Sequence, residues 1–419
     1  MLVKHLFYPS LQVFKNIKIG VFISLVNILI QGVSVLVQNI IASNLGIVNF
    51  GYFGILQSDY TIFCALADFG MATLILAYFG KRATQGRLFK NVLQLRLLTT
   101  AIAAAAMIVF AIFVRHDHPA FVGELILAFG LLFQHAFFDW YFICGNYWKK
   151  LLLSKILHTI SYTSIMGLAL CVMHFDSIAP IAFSMVIAAL PAFGFGVKQA
   201  FNPQVLKIGI HARRFFLLMF RSAIPYAIAS IASFAYLPAG LYAASHVRPD
   251  FLGAYNFAHK LIILASGLMV HFISSSLISL HQTDSRTLHF RDIGIFTLFI
   301  AVVSIPFTVF PEWSLQIIFF AAPWTDQVLS ASGTCLRILS ISLVLQAVRM
   351  SMISTLLKER RMPIYCTLIV LGGIFNIFMC YYGSKILEPE FIPALTLSGD
   401  VLLTLTLALY FTAKRRIDW

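Results

Sequence analysis

Twelve hydrophobic stretches run through the chain, and its basic residues crowd into every second gap between them. One set of gaps holds Lys4, Lys15 and Lys18; Lys81, Arg82, Arg87 and Lys90; Lys149, Lys150 and Lys155; Lys198, Lys207, Arg213 and Arg214. The same set continues with Arg286 and Arg291; Lys358, Arg360 and Arg361; and Lys414, Arg415 and Arg416. The opposite gaps hold only Arg115, Arg248 and Lys385. Basic loops are retained in the cytoplasm, so this asymmetry orients the spans and places both termini on the cytoplasmic side. In hydrocarbon every backbone polar group must be bonded within the segment, and apolar runs of ~20 residues meet that demand as helices. The expected fold is therefore all-α, a polytopic membrane protein of about twelve transmembrane helices.

The expected spans are roughly 19–42, 50–78, 91–114, 121–144, 151–174 and 177–197, then 216–243, 251–279, 293–311, 331–357, 363–386 and 391–412. The longest cytoplasmic connection divides them six and six. This gives an N-terminal segment 1–18, a first six-helix lobe 19–197, a linker 198–215, a second lobe 216–412 and a tail 413–419. The segment 1–18 reads either as an interfacial amphipathic stretch or as a solvated tail, and the first run as an uncleaved span. A net charge of +14 raises nucleic-acid binding, but no basic loop can hold a folded reader domain. That charge instead follows topology and faces anionic lipid. The six cysteines lie in or at the ends of spans without metal-ligand spacing.

The two halves carry a faint repeat. Ser43 to Gly51 aligns without a gap on Ser245 to Gly253, and the basic gaps Lys149-Lys150 and Lys358 to Arg361 fall at matching places. Six spans is an even number, so both halves enter the membrane from the same side. The lobes are then related by a parallel pseudo-two-fold along the membrane normal, with a central cavity between them. Chance likeness of two amphipathic loops is the competing reading.

Five basic residues lie inside spans: Arg96, Arg221, Lys260, Arg337 and Arg349. Charge in hydrocarbon is costly, so such residues face a cavity or a partner. Lys260, nine residues past Phe251, lies ~13 Å down its helix and near the midplane. Asp59, nine past Phe50, and Asp400, nine past Phe391, lie at similar depth. Lys260 and Asp59 read as functional groups or, alternatively, as a buried pair joining the lobes. Arg349 sits in the cytoplasmic third of its span and Arg337 nearer the other end. Arg96, Arg221, Asp68, Asp139 and Glu124 sit nearer the surfaces, where snorkelling or a local ion pair competes with function. His135, His158, His259 and His271 also fall in spans and read as packing histidines or proton-relay groups. Pro225 and Pro238 bracket the interior of span seven, which reads as a gating helix or a static kink.

From the first outer loop onward the sequence resembles bacterial polysaccharide flippases of the multidrug/oligosaccharidyl-lipid/polysaccharide exporter superfamily. The residues carrying the resemblance are Asn44-Leu45-Gly46, Phe50-Gly51-Tyr52, Asp68-Phe69-Gly70, and Asp139-Trp140-Tyr141-Phe142 followed by Gly145. The segment Trp313 to Trp324 and the pair Tyr382-Gly383 also fit, whereas the usual glutamine of the aromatic-glycine motif is absent. The resemblance implies two six-helix lobes around a V-shaped cavity and a non-enzymatic O-antigen flippase of the bacterial inner membrane, serving lipopolysaccharide biosynthesis. Its substrate would be undecaprenyl diphosphate carrying an oligosaccharide repeat unit. Membrane lipid, and polymerase and chain-length proteins of the same pathway, would be its partners. Lys260, Arg349, Arg337 and Arg221 would meet the diphosphate. Asp59, Asp400 and Asp68, with Pro225 and Pro238, would serve coupling and gating. No cofactor is expected, with H+, Na+ or the membrane potential as driving force.

Two alternatives stay open. A cation-coupled multidrug exporter of the same superfamily would use Asp59 and Asp400 but has less use for Lys260 and Arg349. A membrane-embedded polymerase or ligase would need a large outer loop, and the longest gap, 311–330, offers only Glu312 and Asp326 as acids.

Overall fold

The computed structural model describes residues 2–78, 84, 86–145, 147–200, 213–236, 238–282, 290–358 and 362–417. Among them nine helical segments are long and apolar enough to cross a membrane, or ten counting one bent pair. The molecule is therefore a multi-pass helical membrane protein. The twelve expected spans are reached by counting two in Leu29–Asp68 and adding a helix outside that set. Leu29–Asp68 contains two of them, and the 34-residue helix Pro249–Gln282 supplies another.

Helix α1 (Leu2–Asp68) reverses at Gly46, whose φ of 68° and ψ of 174° lie where only glycine sits without strain. The expected outer loop 43–49 is thus almost entirely helical, with the turn concentrated in one residue. Beyond a Phe69-Gly70 break come α2 (Met71–Tyr78) and α3 (Gly86–Val114). The fourth span, expected as one helix, is broken. It comprises α4 (Phe121–Gly130), two 3-10 turns that flank an extended Gln134, and α5 (Asp139–Cys144). Helix α6 (Trp148–Gly167) ends in a π turn, and α7 (Ile178–Ala200) completes the first lobe.

Span seven is also two helices, α8 (Arg213–Tyr236) and α9 (Ala239–Val247). Pro225 lies inside α8, and Pro238 caps α9 at the break. Helix α10 (Pro249–Gln282) follows. Helix α11 (Phe290–Val309) meets α12 (Pro311–Ile318) at 96°. The Ser314 hydroxyl stitches this corner to the Pro306 and Phe310 carbonyls at 3.1 and 2.9 Å. Helices α13 (Asp326–Lys358), α14 (Met362–Ile386) and α15 (Ile392–Ile417) finish the chain. Most of the expected linker 198–215, and the side chains of 1–18, His135 and His271, lie outside the described residues.

We call outer the side away from the basic gaps. There the two repeat segments meet. A Cβ on Gly51 would stand 2.7 Å from Leu252 Cγ and 2.9 Å from the Gly253 nitrogen, and one on Gly253 would strike Ile47. Small residues allow this backbone approach, which in lipid replaces the hydrophobic drive as the source of helix association. Asn256 donates 2.7 Å to the Phe50 carbonyl, and Phe50 stacks at 4.6 Å on Phe257. The Asn39 amide donates to the Ile318 carbonyl and accepts from the Ala321 amide at 3.3 Å, tying α1 to the end of α12.

Candidate functional site

Helices α1, α3, α4 and α9 converge on a cluster of charge in the outer half. Asp59 of α1 is 2% exposed and Glu124 of α4 is wholly buried. Arg115, just past the end of α3, donates to one Asp59 oxygen through Nε at 3.3 Å and Nη2 at 3.2 Å. Its Nε also lies 3.6 Å from Glu124 Oε1. The guanidinium packs over Phe110 and Tyr242 at 5.5 and 5.4 Å. From the second lobe, Tyr242 Oη donates 2.6 Å to the other Asp59 oxygen. Among the described residues Asp59 therefore accepts three hydrogen bonds, while neither Glu124 oxygen accepts one. His118, in the turn between α3 and α4, packs edge-on against Tyr52 at 5.0 Å. Burial first, then Arg115 and His246, lower its imidazole pKa to about 4, so it is neutral at physiological pH.

A second cluster belongs to the C-terminal lobe. Arg349 of α13, 7% exposed, pairs with Asp400 of α15, 2% exposed, at 2.6 Å. The Tyr236 ring at the end of α8 lies 5.5 Å from the guanidinium. Asn376 donates 3.0 Å to the Tyr236 carbonyl, holding the C-terminal end of α8 against α14. The third cluster is toward the inner side of the first lobe. There Arg96 pairs with Asp68 at 2.8 Å and lies over Phe137, with Asp139 nearby.

Lys260 differs from these. It is half-buried on α10 and donates to the Gln57 side-chain carbonyl of α1, across the lobes. Among the described residues no carboxylate lies within ion-pair distance of it. Lys260 and Asp59 thus do not pair with each other: the lysine takes Gln57 and the aspartate takes Arg115. Arg221 and Arg337 are exposed on α8 and α13. Pro225 is half-buried within α8, where its carbonyl accepts from the Cys366 thiol at 2.9 Å. Pro238 is buried at the break.

Four participants were not singled out by sequence reasoning. Arg115 was placed in an outer gap and Glu124 near the membrane surface, with a local ion pair as one reading; both lie there, paired with each other and buried in the protein. A signal existed: Arg115 follows an unbroken apolar run and Glu124 lies in the first turn of the next, nine residues later, so a tight hairpin brings them together. Tyr242 and Gln57 carried no signal, because each acts only by meeting the opposite lobe.

No protein-family model and no curated protein sequence matches the chain. Solved structures do. An inward-facing multidrug resistance MATE family transporter of the MOP superfamily superimposes with a TM-score of 0.74 at 12% identity, covering 92% of this chain and 96% of that one. An outward-facing MATE family transporter gives 0.63 at 13% identity, with 94% of each chain covered. A MOP superfamily transporter from Pyrococcus furiosus gives 0.62 at 14% identity, again with 94% of each covered. The reversed polarity of that protein's binding pocket has been taken to suggest a different function. At such identities the likeness establishes the fold: a two-lobed helical membrane protein built like the MATE transporters.

Proposed function

We propose that this protein is a flippase that moves undecaprenyl-diphosphate-linked oligosaccharide units, of the O-antigen kind, across the bacterial inner membrane by alternating access. The observation that carries the reading is Lys260. A half-buried ammonium between the lobes, opposed by an amide and by no described carboxylate, is an open invitation to an anion. A diphosphate supplies that anion, and its glycan requires a polar path that hydrocarbon does not offer. Arg349 serves the same anion when Asp400 yields it, and exposed Arg221 and Arg337 are outlying contacts. Asp59, Asp400 and Asp68 each hold an arginine whose release accompanies a change of state. The broken span seven, with Pro225 and Pro238, moves between those states. The greater likeness to an inward-facing transporter supports a resting form closed at the outer side.

A multidrug exporter is the second reading. The fold neighbours carrying that description and the buried Asp59–Glu124 pair favour it, since acids suit cationic substrates. The Pyrococcus furiosus protein is a reminder that this fold carries pockets of opposite polarity. The test is binding of undecaprenyl diphosphate and of a lipophilic cation to the purified full-length protein. The flippase reading predicts that the first binds in competition with pyrophosphate and that Lys260→Gln weakens it. Binding of the cation alone would overturn it.

A further inference from the structure

We propose that Asp59 and Glu124 form a proton-binding site at the outer seam between the lobes, one proton being held by the carboxyl pair and read out by Tyr242. Charge counting starts the argument. Two carboxyl groups and one guanidinium share a space from which water is largely excluded, since Glu124 is wholly buried, Asp59 is 2% exposed and Arg115 is 9% exposed. With both acids ionised, a full negative charge is left uncompensated in hydrocarbon, which is costly beyond anything one arginine offsets. One bound proton removes it.

Hydrogen bonding says where that proton resides. Asp59 receives Tyr242 Oη, Arg115 Nε and Arg115 Nη2, an arrangement suited to a carboxylate. Among the described residues Glu124 receives no hydrogen bond at either oxygen, and its one cationic neighbour is Arg115, with Nε at 3.6 Å. A fully buried carboxylate without a donor is untenable, whereas a carboxylic acid beside Asp59 donates to it and is satisfied. Glu124 is therefore the protonated partner and Asp59 the charged one.

Tyr242 makes this a coupling site rather than a structural pair. It lies on α9 of the second lobe and reaches Asp59 of the first within six residues of the outer end of its helix. With Glu124 protonated, Arg115 and Tyr242 both serve Asp59 and the lobes are tied. When Glu124 loses its proton, the second carboxylate competes for Arg115, and the charge is relieved only by admitting water along the seam. Proton loading from outside then favours outer closure and proton loss favours opening. This deepens, and rests on, the alternating-access reading above.

The groups facing the site from each packed element, among the described residues, are Arg115, Tyr242, His118 and His246. His118, held near 4, stays neutral over the range tested below. His246 is exposed, so a His246→Gln control separates its titration.

The experiment is hydrogen–deuterium exchange of residues 43–56 and 239–255 in the full-length protein in lipid nanodiscs, without substrate, corrected for intrinsic exchange at each pH. A scan from about pH 5 to about pH 9 brackets the range in which buried carboxyls release protons. Protection is expected to fall with rising pH by several-fold, and by at most about tenfold per pH unit for a single proton. Glu124→Gln, a permanently neutral mimic, is expected to stay protected throughout. Tyr242→Phe, which removes one oxygen, is expected to be weakly protected at every pH. Flat protection in the wild type, or a Glu124→Gln protein that titrates like it, would overturn the proposal. If Glu124→Gln does not fold, retention of the wild-type pH profile by Tyr242→Phe overturns it equally. The assay contains no lipid-linked glycan. A protein that binds undecaprenyl diphosphate yet shows flat protection sinks this inference alone, and one that titrates without binding it sinks only the substrate assignment.

Discussion

Tyr242 and Asp59 lie 183 residues apart in the chain, yet the tyrosine hydroxyl donates 2.6 Å to the carboxylate across the seam between the lobes. Tyr242 follows the break in span seven and Tyr236 precedes it. One broken helix therefore touches the Asp59–Glu124–Arg115 cluster with its outer piece and the Arg349–Asp400 pair with its inner piece. Pro238, at the break, sits between the two clusters.

Removing one member of the Arg349–Asp400 pair strands the other. Asp400→Ala is expected to destabilise the protein by about 3–5 kcal/mol, because the buried guanidinium loses its counter-charge. The double variant Asp400→Leu/Arg349→Met is expected to recover most of that loss. Unfolding midpoints in one detergent check both, and a double variant no better than the single would refute the account.

The glycine seam is intolerant of added bulk. Gly51→Val and Gly253→Val each thrust a side chain into the facing backbone and should cost about 1–3 kcal/mol. Since either one parts the same seam, the double variant is expected to lose less than the two singles combined. Thermal unfolding of all three measures the shortfall.

His118 supplies a pH signature outside the spans. Its native pKa near 4 lies below the ordinary 6.5, so the unfolded chain binds its proton first as pH falls. The stability tied to neutral His118 is present above about pH 6.5 and drains away as pH falls toward 4. In His118→Gln the melting temperature should decline less over that interval than in the wild type. Parallel curves would show that His118 is not part of the acid response.

Lys260 should matter through charge more than shape. Lys260→Gln is expected to weaken undecaprenyl diphosphate binding about tenfold or more, the worth of one charge-assisted contact of about 1.5–3 kcal/mol. Lys260→Arg should retain most of the affinity. Titrations at two salt concentrations distinguish this from a packing defect, since only the charged residues give a salt-sensitive difference.

The hydrophobic runs, the basic asymmetry and the likeness of Ser43–Gly51 to Ser245–Gly253 were all legible in the sequence, as was the placement of Asp59, Asp400, Arg349 and Lys260 inside spans. What was not legible was who meets whom. Arg115 read as an outer-gap charge and Glu124 as a snorkelling head group or a local ion pair, because depth along a span does not say which way a side chain turns. Arg115 instead directs its long side chain back into the bundle toward Asp59. The break at Gln134 in span four was not read, although Gln134-His135 interrupts the apolar run there, since hydropathy counts transfer energy and ignores backbone torsion.

The sequence by itself determined that this chain is a bundle of membrane-crossing helices. Bilayer solvation acts on each segment locally and is written residue by residue. The tertiary structure decided the pairings. Whether Asp59 takes Arg115 and Tyr242, or Lys260 takes Gln57, depends on the rotation of each helix and on the reversal at Gly46. Those follow from how two lobes pack against one another, and no local pattern specifies that.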